Sequence, residues 1–154
     1  MAFSPTSPIT GAAISGLTDP TYTHVADTPP NSTSKQIAVT ALGGTQTDVL
    51  VNLISSPFTS TMFRPGAFKT LGIPSASGVI RSFPKNVFEV LTRKGVNVLA
   101  NQPTQTMLIR TTISVPAGAD TYDSVSIKAA LSMHCGLLTQ IPQGLSDTVL
   151  TGTL

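Results

Sequence analysis

Apolar and polar residues alternate with period two over 106–115. Met107, Ile109, Thr111, Ile113 and Val115 share one face, and Leu108, Arg110, Thr112 and Ser114 share the other. The first set suits a core, and the second suits solvent or a charged ligand. The same reading predicts strands over 35–42 and 48–55, joined through Gly43-Gly44 as an antiparallel hairpin. It predicts another pair over 86–93 and 96–100, with the turn at Lys94-Gly95, because glycine tolerates positive φ. Runs over 8–14 and 22–26 fit edge strands or an arm, and 78–83 fits a short strand. The segment 56–77 is punctuated by Pro57, Pro65, Gly66, Gly72 and Pro74 and reads as irregular.

After Pro116 the period changes. Ile127, Ala130, Leu131, His134, Leu137 and Leu138 recur at helical spacing over 123–138. Asp120 or Thr121 is placed to cap this helix, with Asp123 near its positive dipole end. Gly136 costs the helix about 1 kcal/mol relative to alanine and permits the close approach of a neighbour. Pro142 and Gly144 break it, and 145–150 reads as a short second helix or an extended tail.

Strands followed by helices make an α+β domain. Its parts are an N-terminal arm or hairpin over 1–31, an antiparallel sheet over 34–116, and helices and tail over 120–154, with no repeat or linker dividing them. One long helix does not cover both faces of such a sheet. The simplest partner for the remainder is a second copy with its helices laid across the neighbouring sheet. Ile127, Leu131, His134 and Leu138 are the expected dimer contacts.

Composition sharpens this picture. The chain has 154 residues, 40% apolar but only 10% charged, where roughly 25% charged is usual. Serine and threonine supply about a quarter of it. Such a chain is neither a charge-rich disordered protein nor a coiled coil. No apolar run approaches the roughly 18 residues that span a bilayer, so no membrane partner is expected. Sparse charge in a Thr- and Val-rich chain suggests β-sheet with much of its surface covered by copies of itself.

The net charge of +2 is unevenly distributed. Between Arg64 and Arg110 stand seven cations and one acid, Glu89, while the other acids lie in the flanks. A basic centre between mildly acidic ends suits a polyanion. Arg81, Lys85, Arg93 and Arg110 are the candidate phosphate contacts, with Thr112 and Ser114 as donors to phosphate or a 2′-hydroxyl. Phe83 and Phe88 are candidate stacking partners, although Phe88 reads better as core. Without tryptophan, recognition leans on shape and charge.

No other chemistry is indicated. Cys135 is alone, which leaves no disulfide framework and no thiolate metal site, and it reads as a small packed residue on its helix. His24 and His134 lie far apart in sequence, the seven acids are scattered, and no nucleophile, phosphate-loop or zinc motif occurs. The chain is therefore expected to be no enzyme, with no cofactor, no metal and no small-molecule substrate. Residues 1–8 have neither a basic nor an apolar signal region, so synthesis in a reducing cytoplasm is expected.

The run IRTTISVPAGADTYDSVSIKAALSMHCGLL, 109–138, resembles the last strand and first helix of the coat proteins of single-stranded RNA bacteriophages, the levivirus group. The late Gly136-Leu137-Leu138 belongs to that likeness, and the closing SDTVLTGTL, 146–154, is similar to the family's short second helix and tail. The resemblance implies an N-terminal hairpin, a five-stranded antiparallel sheet and two C-terminal helices interlocked in a dimer over a joint ten-stranded sheet. It implies a small icosahedral shell, a virion made in the bacterial host cytoplasm, around genomic single-stranded RNA held by the inner sheet face. In better-known members a dimer also grips an RNA hairpin and represses translation. Carried over by position, Leu108, Arg110, Thr112 and Ser114 fall on the inward face of the last strand, and Arg93 and Glu89 on that of an earlier one. The chain departs from the family in its greater length, within 1–31 or 56–77, and in offering no match for a hairpin-binding adenine pocket. The alternative reading is a Thr-rich β-sandwich binding or adhesion module, which requires strands where the C-terminal helix is predicted.

Overall fold

The structure, a computed structural model, describes residues 3–154. Met1 and Ala2, the first residues of the expected arm, lie outside the described residues. Six strands form one curled antiparallel sheet in chain order: β1 (Ile9–Thr10), β2 (Thr18–Asp27), β3 (Ser34–Thr45), β4 (Phe58–Phe63), β5 (Lys85–Val96) and β6 (Gln105–Pro116). The expected five-stranded sheet is thus corrected to six, because the N-terminal hairpin joins the sheet: β2 pairs along β3 from Thr18↔Thr45 to Asp27↔Gln36. Three helices follow: α1 (Ala119–Tyr122), α2 (Ser124–Gln140) and α3 (Pro142–Thr151). A single sheet and a helical C-terminal region overturn the β-sandwich alternative.

Several strand expectations fail for one physical reason: a strand needs a partner edge as well as a pattern. Residues 48–55 are not a strand: β4 takes the edge of β3 over Ser34–Ala38, and beyond it 48–55 does not run alongside. They form a loop held by Asn52, whose N–H donates to the Val39 carbonyl at 2.8 Å and whose Oδ1 accepts from the Phe58 N–H at 2.8 Å. Within the segment expected to be irregular, Phe58–Phe63 is a central strand flanked, not broken, by Pro57 and Pro65. The expected short strand over 78–83 is absent; a turn there has the Ser75 N–H donating to the Val79 carbonyl at 3.1 Å.

Lys94-Gly95 is not a turn either. β5 runs straight through it, and the connection to β6 lies over 97–104, so the strand expected over 96–100 does not form. Gly95 serves close packing instead of bending. A Cβ there would stand 2.7 Å from Ser56 Cα, closer than real contacts allow.

The helix start is also displaced. Asp120 and Thr121 belong to the single turn α1, and Asp123 caps α2, its carboxylate accepting from the Ser126 N–H at 3.2 Å. Ahead of α1, Ala117 is buried and Gly118 adopts φ 90 beside the Leu71 side chain, turning the chain out of β6. Pro142 opens α3, where its missing N–H costs nothing, and Gly144 lies inside that helix. The Ser15 N–H donates to Gln143 Oε1 at 2.6 Å, which ties α3 to the β1–β2 turn.

The apolar core is small: Ile37, Ala38, Val39, Leu91 and Ala117. No residue of α2 or α3 is buried, and Cys135, expected to pack, is exposed because nothing among the described residues covers the helix there. The chain exposes 10725 Å². A compact monomer of 16.0 kDa is expected to expose about 7,400 Å².

Candidate nucleic-acid interface

Register decides which side chains share a face. Glu89 pairs with Thr112, Leu91 with Arg110, and Arg93 with Leu108. Directly paired residues project to the same side of a sheet. Lys85, Glu89 and Arg93 of β5 therefore lie on one face with Arg110, Thr112 and Ser114 of β6. The pairs Thr61↔Leu91 and Gln36↔Thr61 extend that face across β4 and β3.

The opposite face carries Met62, Phe88, Ile113 and Val115, which border a cavity of about 300 Å³ together with Ile127 and Leu131 of α2. Lys85, Arg93 and Arg110 thus lie on the face opposite the helices, while Lys35, paired with Met62, shares the helix side. Ile127 and Leu131 are half-buried there. His134 lines a neighbouring cavity of about 250 Å³ but is exposed, as is Leu138.

The structure does not bring every candidate together. Arg81 is exposed and lies outside the strands. Phe83 is likewise outside the strands, and Phe88 sits on the helix side, its ring 6.1 Å from that of Phe68, so neither joins the cationic face. Lys94 also points to the helix side, with its ammonium 5.0 Å from the centre of the Phe58 ring. Burial lowers its pKa, and burial raises that of Tyr22, which packs edge-on against Phe58 at 5.6 Å.

Two polar arrangements organise the cationic face. Arg110 Nε lies 3.6 Å from Glu89 Oε1, with the arginine side chain 57% exposed. Arg93 Nη1 donates to Thr61 Oγ1 at 3.3 Å and to Gln36 Oε1 at 3.5 Å. The Thr61 hydroxyl donates to Gln36 Oε1 at 2.8 Å, and Gln36 Nε2 donates to Asp27 Oδ2 at 2.6 Å. Thr61 is fully buried in this arrangement.

Asp27, Gln36 and Thr61 were not among the residues singled out from sequence. The alternation in FTSTMF is a signal for Thr61, but it is legible only if the flanking prolines are taken as strand ends. Among the described residues no group of three or more His, Cys, Asp or Glu side chains is placed to hold a metal.

No family model matches the chain, and no curated protein is significantly similar to it. Solved structures are. The virus-like particle of bacteriophage ESE020 matches with a TM-score of 0.97 and 53% identity, covering 99% of this chain and 100% of that one. The virus-like particle of Beihai levi-like virus 32 matches with a TM-score of 0.51 and 14% identity over 86% of this chain and 88% of that one, a likeness of fold. With Lys85, Arg93 and Arg110 on the face opposite the helices, and a match that runs the whole length at this identity, the chain belongs to the levivirus-type coat proteins of RNA bacteriophages and has a structural, non-enzymatic role.

Proposed function

We propose that two copies pair through β6 and interlock their helices, and that these dimers build a small icosahedral shell holding single-stranded RNA on the cationic sheet face. The observation that carries this reading is the open edge of β6. Among the described residues its 12 residues pair with β5 alone, and Met107, Leu108 and Ile109 on it are 38%, 50% and 53% exposed. A long uncovered edge with apolar side chains invites another strand. The chain's exposed area exceeds that of a compact monomer by about 3,300 Å²; over two copies that is about 6,600 Å², more than the roughly 2,000–5,000 Å² of an obligate homodimer interface, which leaves area for contacts between dimers. Ile127, Leu131 and His134 line the two apolar cavities on the helix side, where the partner's helices are expected, and Leu138 follows one turn further along α2. The phage ESE020 relative was solved as a virus-like particle, and assembly is carried over to this chain on that likeness.

Lys85, Arg93, Arg110, Thr112 and Ser114 form the RNA surface of this reading, and Arg81 a contact beside it. Cations with few aromatics suit backbone contact, which tolerates many sequences and weakens as salt rises. The particle is a virion formed from chains made in the bacterial cytoplasm. Expression in bacteria followed by size-exclusion chromatography and electron microscopy tests it. Closed particles protecting RNA from nuclease are expected. A folded, nucleic-acid-free monomer overturns it.

A further inference from the structure

Arg93 and Arg110 occupy the same face but are held in opposite ways. Arg110 faces a carboxylate, that of Glu89, so part of its field is cancelled. Arg93 is held by two neutral acceptors, Thr61 Oγ1 and Gln36 Oε1, and keeps its full charge. Both contacts use Nη1, which leaves the N–H groups of Nε and Nη2 for a ligand.

The orientation of Gln36 is chemically forced. Its amide nitrogen must face Asp27, because a carboxylate only accepts, and so its Oε1 must face Thr61 and Arg93. The Thr61 hydroxyl spends its proton on the same Oε1, which leaves its oxygen free to accept from Arg93. Asp27 is itself anchored, its Oδ1 accepting from the Thr28 N–H at 2.8 Å. The chain of bonds runs across β2, β3, β4 and β5.

From this juxtaposition we propose that Asp27, Gln36 and Thr61 are positioning residues that hold the Arg93 guanidinium ready for an RNA phosphodiester. Ordering a long side chain in advance removes a cost otherwise met on binding. A planar fork fixed at one nitrogen presents its remaining edge to a phosphate as a two-point donor. The proposal rests on the reading of this face as the RNA surface, and its test separates the two.

The test uses the full-length protein, kept below its assembly concentration as checked by light scattering, and a fluorescent uridine oligonucleotide titrated over a range of salt. Arg93→Ala weakens binding and lowers the salt slope by about 1. Gln36→Leu weakens binding about five-fold while the slope stays as in the parent, since the charge remains. Asp27→Leu also weakens binding although it removes a negative charge, the reverse of what simple electrostatics gives. Asp27→Asn keeps an acceptor for Gln36 and binds at least as well as the parent. In an Arg93→Ala background, Gln36→Leu has no further effect on binding and Asp27→Leu no longer weakens it, whatever they do to the melting temperature. If Arg93→Ala binds like the parent, the RNA face itself is misassigned. If Arg93→Ala weakens binding and Gln36→Leu does not, or if Asp27→Leu strengthens it, the positioning role is overturned.

Discussion

Glu89 and Arg110 face each other diagonally across β5 and β6, with Oε1 and Nε 3.6 Å apart, on the side of the sheet that carries the cations. The carboxylate sits where it moderates the local positive field. Half of the pair is well exposed, so its contribution to stability is at most about 1 kcal/mol. Its larger effect is on how strongly Arg110 attracts polyanions.

Glu89→Gln is therefore expected to tighten RNA binding a few-fold and to steepen the salt dependence by up to about one unit of slope, with the melting temperature nearly unchanged. Titrations of the same oligonucleotide at two salt concentrations check this. Equal affinity and equal slope would remove Glu89 from the interface.

Gly95→Ala places a methyl group against Ser56, which is itself buried and packed by the 56–57 corner. The Gly95 N–H also donates to the Pro57 carbonyl at 2.6 Å, so the strand cannot drift outward freely. A loss of about 1–3 kcal/mol is expected in chemical denaturation. Ser56→Gly in the same chain restores part of it, which distinguishes crowding from any effect of strand propensity.

Tyr22 gives an alkaline signature. Burial raises its folded pKa above 10.0, so the phenol resists ionisation in the folded state more than in the unfolded one. Its contribution is fully present below pH 10 and is lost as pH rises through the folded value. Lys94 acts with the opposite sign, since its lowered folded pKa makes stability rise as pH climbs toward 10.5. Tyr22→Phe is expected to leave stability at neutral pH within about 1 kcal/mol and to blunt the loss above pH 10, as followed by thermal melts across that range.

Leu131→Asp puts a carboxylate beside the apolar cavity between α2 and β6. Burying it unpaired under a partner's helices costs several kcal/mol. Loss of particles and of the dimer is expected on size-exclusion chromatography with light scattering. Particle formation at the parent's yield would argue that this helix face stays open.

Much of the C-terminal half was legible because its signals are local. β6 shows a clean alternation in 105–116, and the spacing of Ile127 and Leu131 announces a helix without any knowledge of what lies nearby. The apolar run over 48–55 misled because Leu50, Leu53 and Ile54 look like strand residues, yet β4 holds the Ser34–Ala38 part of the edge they would have paired with. β4 hid between prolines, although Pro57 and Pro65 lie where a strand tolerates them. The bond between Arg93 and Gln36 joins residues 57 apart in sequence, and no local pattern encodes it. It becomes visible only once the register of four strands is known.

The left-handed residue at Gly118 has a consequence for pairing. It sets the angle at which the helices leave the sheet, and in the proposed dimer both copies share that angle. In the proposed dimer, the fit of each copy's helices on the other's sheet is in this sense written partly into one backbone angle beside Leu71.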